Sequence, residues 1–367
     1  MRTAFIAFAL LSAWAASQSN TEQVLQTAIE EQVHGDYDGA IRDYRKVLSL
    51  RPNMAEAKVN LAAALVHLGQ FDEAISLYQA VLPTIPEKKA VQLNLALAYF
   101  KKGDFENARQ QLEQLHQAQP TRVQVATLLA AALVELNKPG EAVAVLQPLE
   151  KTNPQNLDLK YALGTALIKS GKPREGVVRV EEVAESGHSA DAYLIAGKAL
   201  LDLNENERGR RDLDAALSLD PKLPGIQTLA GRARDKTGDK QAAESAFREA
   251  LRINADDFEA SLYLGAILQE RRELDEARIY LDRALKLKPG DSMARYESAM
   301  LESMMGHYEV AAHQLEQLTK DDPNWLEPHV QLAAVYYKLH RREEGARERQ
   351  IVDRITAEQQ RKGPEAR

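Results

Sequence analysis

Apolar residues recur along this chain at helical spacing, in paired blocks separated by short polar turns. Between Ala55 and Lys88 the first block places Leu61, Ala62, Leu65, Val66 and Leu68 on one helical stripe. The second block does the same with Phe71, Ala74, Ile75, Tyr78 and Val81. Gly69 separates the blocks and Pro86 closes the second. Glycine accepts the positive φ that a helix end often needs, and proline cannot continue a helix. The pattern predicts two antiparallel helices joined by a short turn.

The same unit returns along the chain. One series of small residues runs Ala40, Ala74, Ala108, Ala142, Gly176, Gly209, Ala243, Ala277, Ala311 and Gly345, in steps of 34 broken once by a step of 33. A second series lies twelve positions earlier, from Ala28 and Ala62 to Ala299 and Ala333. Where helices cross closely, a side chain larger than alanine would push the backbones apart. A large residue usually follows four positions after the first series: Tyr44, Tyr78, Leu112, Leu146, Phe247 and Leu281. It shares a helix face with the small residue and can fill the space between neighbouring helices. The mid-unit turn holds Gly or Asn in eight of ten units, with Arg272 and His340 as the exceptions. The period divides the chain into ten units: 21–54, 55–88, 89–122, 123–156, 157–189, 190–223, 224–257, 258–291, 292–325 and 326–359. Stacked units of this length touch only their neighbours and present an extended surface.

Leu61-Ala62, Leu65, Gly69, Ala74, Tyr78 and Pro86 reproduce the spacing of a tetratricopeptide repeat, and the chain resembles that family over almost its whole length. The resemblance implies an all-α, right-handed superhelical solenoid of about ten helix-turn-helix repeats. It also implies that the first helix of each unit lines a concave groove. On that mapping, units two to five present mostly apolar residues, among them Val59, Ala63, Val66, Leu93, Leu97, Phe100, Ala131, Val134, Tyr161 and Ile168. Asn60 and Asn94 stand where related groove asparagines grip a peptide backbone. A second apolar face is Met293, Tyr296, Met300 and Met304, at spacings that keep them on one helix side. Between the two lies a charged stretch, Lys198, Arg232, Asp235 and Lys236, expected to be a solvated face.

Two irregularities break the array. The 33-residue unit loses a position near Glu185–Ser189, and the unit from Pro224 carries Arg232, Arg234, Asp235 and Lys236 in its first helix. Together they predict a joint that separates repeats 21–189 from repeats 190–359. The last helix, around Glu343 to Gln360, keeps only Ile351, Val352 and Ile355 as an apolar face, so it reads as a solubilising cap ahead of a polar tail at 360–367. At the other end, Arg2 precedes an apolar run from Ala4 to Ala16, too short for a membrane span of about 20 residues. With small residues around Ala15-Ala16-Ser17, residues 1–17 read as a secretory signal peptide. The expected location is the periplasm or beyond, within a bacterial cell envelope, with no further membrane span.

Candidate chemistry is sparse. Net charge is −7, which disfavours nucleic acid as the main ligand. The chain has no cysteine, and its eight histidines show no zinc spacing, so they are expected at turns and on the surface. Ala166 to Pro173 imitates a phosphate-binding loop, but Pro173 stands where a magnesium-holding hydroxyl is needed. No cofactor is expected. The function expected is a non-enzymatic scaffold that binds extended peptides or partner helices in its groove. Self-association into a structural assembly, or service as the accessory subunit of an envelope enzyme or export complex, would use the same surfaces.

Overall fold

The computed structural model of the protein describes residues 20–361. The expected leader, 1–17, and residues 362–367 of the expected tail lie outside the described residues. Twenty helices follow one another, and no strand occurs among the described residues. The first ten are α1 (20–33), α2 (Tyr37–Leu50), α3 (Ala55–His67), α4 (Phe71–Val81), α5 (Lys88–Lys102), α6 (Phe105–Ala118), α7 (Val123–Glu135), α8 (Pro139–Glu150), α9 (Leu157–Lys169) and α10 (Pro173–Gly187). The next ten are α11 (Ala190–Asp202), α12 (Asn206–Leu219), α13 (Ile226–Lys236), α14 (Lys240–Ile253), α15 (Phe258–Glu270), α16 (Leu274–Leu287), α17 (Ser292–Met304), α18 (Tyr308–Asp321), α19 (Leu326–Lys338) and α20 (Arg342–Arg361). The chain divides between Gly187 and His188 into two compact units, each a stack of five helical hairpins.

The hairpin turns share one device. All ten mid-hairpin positions have positive φ, from Gly35 at 85° through Asn137 at 58° to Gly306 at 84°. Arg272 at 64° and His340 at 61° adopt it too, although neither residue type favours it. The next residue then donates back across the turn: Asp104 N–H to the Tyr99 carbonyl at 2.9 Å, and Glu273 N–H to that of Leu268 at 2.9 Å. That bond uses a carbonyl the helix end would leave unpaired. Some helix starts are capped by side chains, as where Asp104 accepts from Asn107 N–H and Asp291 from Ala294 N–H.

Within each hairpin the two small-residue positions meet. Ala40, Ala74, Ala108 and Ala142 are fully buried. In α9–α10 both positions are glycine, and a Cβ on Gly176 would lie 2.5 Å from the Gly164 carbonyl oxygen. In α11–α12 a Cβ on Gly197 would lie 2.6 Å from Leu213 Cγ and 3.1 Å from the Gly209 carbonyl oxygen. The large residue four positions on is buried wherever it was expected, from Tyr44 and Tyr78 to Phe247 and Leu281. Burial pushes the Tyr44 and Tyr78 phenols up to about 12, so both keep their protons, and Tyr44 donates to Gln32 Oε1 at 2.7 Å.

Two expectations need correcting. His329 is neither a turn nor a surface residue. It is 4% exposed, its Nε2 donates to the Pro323 carbonyl at 3.2 Å, and its Nδ1 faces Glu348 Oε2 at 2.6 Å, tying α19 to the α20 cap. Arg232 is not on a solvated face. It pairs with Glu259 at 3.4 Å and lies 5.7 Å from the Tyr263 ring centroid. Both residues meet partners from other helices, 19 and 27 positions away, which local polarity does not reveal.

Gly176→Ala is expected to destabilise the chain by about 1–3 kcal/mol despite alanine's better helix propensity, because the obstacle is backbone. Arg272→Gly is expected to stabilise it by about 1 kcal/mol through release of the left-handed strain. Urea unfolding of both variants checks this. A Gly176→Ala variant as stable as the parent would mean that α9 and α10 separate freely.

Candidate interaction groove

Of the first helices of the hairpins, α3 touches α5 within the first unit, and α7 packs on α9 as well as on α8; within the second, α13 touches α15 and α15 touches α17. Their apolar stripes face the hairpin core, while the residues one step round the helix are half-buried. Val59, Val66, Leu97, Phe100 and Val134 take this intermediate position, each leaning on the core of the first unit. Leu93 does not: at 6% exposed it is core, so the groove mapping overstates it. Phe100 packs edge-on against Phe105, with ring centroids 5.2 Å apart and planes at 70°.

Val134, Tyr161 and Ala131 come together in one apolar groove of about 340 Å³ between α7 and α9. Leu128 and Ala162 complete its walls, Thr165 lines it, and Glu135, Asp158 and Lys169 stand at its edges. Thr165 occupies the groove-facing phase of its unit between Tyr161 and Ile168, but its hydroxyl gave no apolar signal. Ile168 is half-buried on α9 and Phe100 lies on α5, so neither lines this groove. Asn60 is half-buried on α3, near the Tyr44 hydroxyl of the preceding hairpin. Asn94 is half-buried on α5.

In the second unit Met293 is 48% exposed, while Met300 and Met304 are half-buried on the same side of α17. Tyr296 packs on Trp325 with ring centroids 5.4 Å apart, and burial raises its phenol. A second depression of about 420 Å³ lies between α19 and α20, lined by Val330, Tyr337 and Val352. The mapping passed over Val330 and Tyr337, although their phase in the tenth unit matches that of Tyr161 and Ile168 in the fifth. Arg349 lies 5.7 Å from the Tyr337 ring centroid, so the polar cap covers part of an aromatic face.

Between α15 and α17 sits a strained carboxyl. Burial first, and then the charge of Glu270, raise Glu297 above the usual carboxylate range, against a 3.4 Å hydrogen bond from Gln269.

Among the described residues no group of His, Asp or Glu is placed to hold a metal ion, and no helix is long and apolar enough to cross a membrane. Buried hairpin crossings, repeated turns and apolar grooves define an all-helical repeat array. The chain belongs to the tetratricopeptide repeat family, whose models match residues 34–93, 69–132, 161–224 and 228–292. A tetratricopeptide repeat protein from Parabacteroides merdae shares the fold with a TM-score of 0.57 at 14% identity, over 68% of this chain and 99% of that one. Pseudomonas aeruginosa pilF does so with a TM-score of 0.50 at 19% identity, over 56% of this chain and 94% of that one. Anaphase-promoting complex subunit 3 of Schizosaccharomyces pombe is 21% identical over 44% of this chain, which spans only 30% of that relative's length. Repeats of this family generally mediate protein–protein interactions.

The Glu297 carboxyl has a pH consequence. Its raised value means that the folded chain holds this proton more tightly than the unfolded chain. The group therefore costs nothing below the unfolded value, and stability falls as pH rises through the folded one. Glu297→Gln is expected to stabilise the protein near pH 7 and to change little near pH 4, read by urea unfolding at both. An equal effect at both would show that the carboxylate is well solvated.

Proposed function

We propose that this protein is a non-enzymatic scaffold of the cell envelope that holds an apolar segment of a partner protein in the groove between α7 and α9. The observation that carries this reading is the groove itself. It is apolar, open, and lined by Val134 and Tyr161 at positions where the repeat offers side chains to a partner. The half-exposed Met293 and its neighbours on α17 are a second surface of the same kind. The envelope location rests on the charged start and short apolar run of residues 2–16.

Photo-crosslinking in the native cell tests the reading, with the probe at Phe100, Val134 or Met300 in turn. A crosslink to another protein at Val134, lost or weakened at least about tenfold by Tyr161→Glu, is the expected result. Crosslinks only between copies of this chain would replace a partner with self-assembly. Fractionation of the same cells is expected to find the protein outside the cytosol, and a cytosolic pool alone would remove the envelope from the proposal.

A further inference from the structure

We infer that two copies of this chain exchange α20, each seating this last described helix on the other's α19. The inference goes beyond the groove reading and does not depend on it. It starts from the turn between the two helices. His340 stands there at φ 61°, in the left-handed region, where most hairpins of the fold place glycine. From Tyr336 to Glu344 the sequence holds neither glycine nor proline, and Lys338, Leu339, Arg341, Arg342, Glu343 and Glu344 all favour a helix. The backbone hydrogen bonds do not oppose straightening either. Leu339, His340 and Arg341 N–H donate to the carbonyls of Val335, Tyr337 and Tyr336. A continuous helix gives the same donors the same acceptors, with two of them traded. Within one chain α20 must fold back to cover α19, and a second copy removes that demand. Short hinges under strain invite such an exchange.

The seat names its occupant. A Cβ on Gly345 would lie 3.1 Å from Tyr337 Cζ, so α20 crosses α19 at a distance that suits a small residue. Buried His329 of α19 meets Glu348 Oε2 at 2.6 Å, and Arg349 lies 5.7 Å from the Tyr337 ring centroid. The helix that brings glycine, glutamate and arginine to these points is another α20. Opening uncovers little apolar surface, since α20 buries only Gly345 and Ile355 over 20 residues, whereas α18 buries Ala311, Ala312, Leu315 and Leu318 over 14. Arg272 shares the strained turn, but α16 packs on α17 as well as on α15, so that turn cannot open without tearing the array. Straightening at His340 gives each copy one helix from Leu326 to Arg361, and two such helices pair antiparallel about a twofold axis. The α19–α20 contacts are remade between chains. What changes is the strain of the turn, set against the entropy of association.

The chain has no cysteine, so single cysteines can mark the two helices. Val330 on α19 and Asp353 on α20 border one depression. Full-length Val330→Cys and Asp353→Cys proteins are mixed, concentrated together and treated with a short bis-maleimide. A covalent pair made of one copy of each is expected, and far less product when either protein is treated alone. Light scattering of the parent chain should show a dimer that grows with concentration. His340→Gly relaxes the turn and weakens the straight helix, so it should weaken the dimer at least about thirtyfold. His340→Ala should strengthen it, because alanine favours the continuous helix. Salt should strengthen it as well, by screening Lys338, Arg341 and Arg342 of the two copies where the helices cross. A monomer at every concentration, a dimer without the mixed pair, or a dimer indifferent to His340→Gly overturns the inference.

Discussion

Everything in this protein rests on how closely two helices of one hairpin approach. The crossing allows a methyl group at most, and in α9–α10 and α11–α12 it allows not even that. Once the backbones are this close, the residue four positions on must fill the wedge beside the crossing, which is why Tyr44, Tyr78, Leu112 and Phe247 are all buried. The tight turn follows from the same demand. Two helices can leave their crossing antiparallel and in contact only if the chain reverses within about three residues, and a left-handed residue does that. Arg272 and His340 accept the strained conformation because the packing on either side of them leaves no alternative.

These features were legible in the sequence because each is local and repeats. A turn glycine, a small residue and a large one at fixed offsets recur ten times, so a single deviation such as Arg272 still fell in phase. Features that depend on a neighbouring helix were not legible. His329 and Arg232 read as surface residues because nothing within a few positions shows Glu348, Pro323, Glu259 or Tyr263 closing over them. Leu93 read as groove because its phase is right, but phase alone does not say how far the next helix covers it.

The groove was legible in part for the same reason. Val134 and Tyr161 lie on adjacent first helices at groove-facing positions, and the structure brings them to one cavity. Phe100 and Ile168 share the pattern but not the cavity, since the surface is not equally open along the stack. Thr165 and the rim charges carried no apolar signal, so only the three-dimensional arrangement shows them gathered around one opening.

The nearness of the Asn60 amide to the buried Tyr44 hydroxyl has a further consequence. An amide at that position could serve as a clamp on any extended main chain, whatever its sequence, because every peptide carries the same N–H and C=O groups. Here that amide already lies close to a polar group of the fold, the buried Tyr44 hydroxyl. For a partner lying along this part of the stack, recognition would then fall more on its side chains, through the fit of their shape and the placing of their few polar atoms. An array used in that way would behave less like a general holder of unfolded chains and more like a lock cut for a short list of keys.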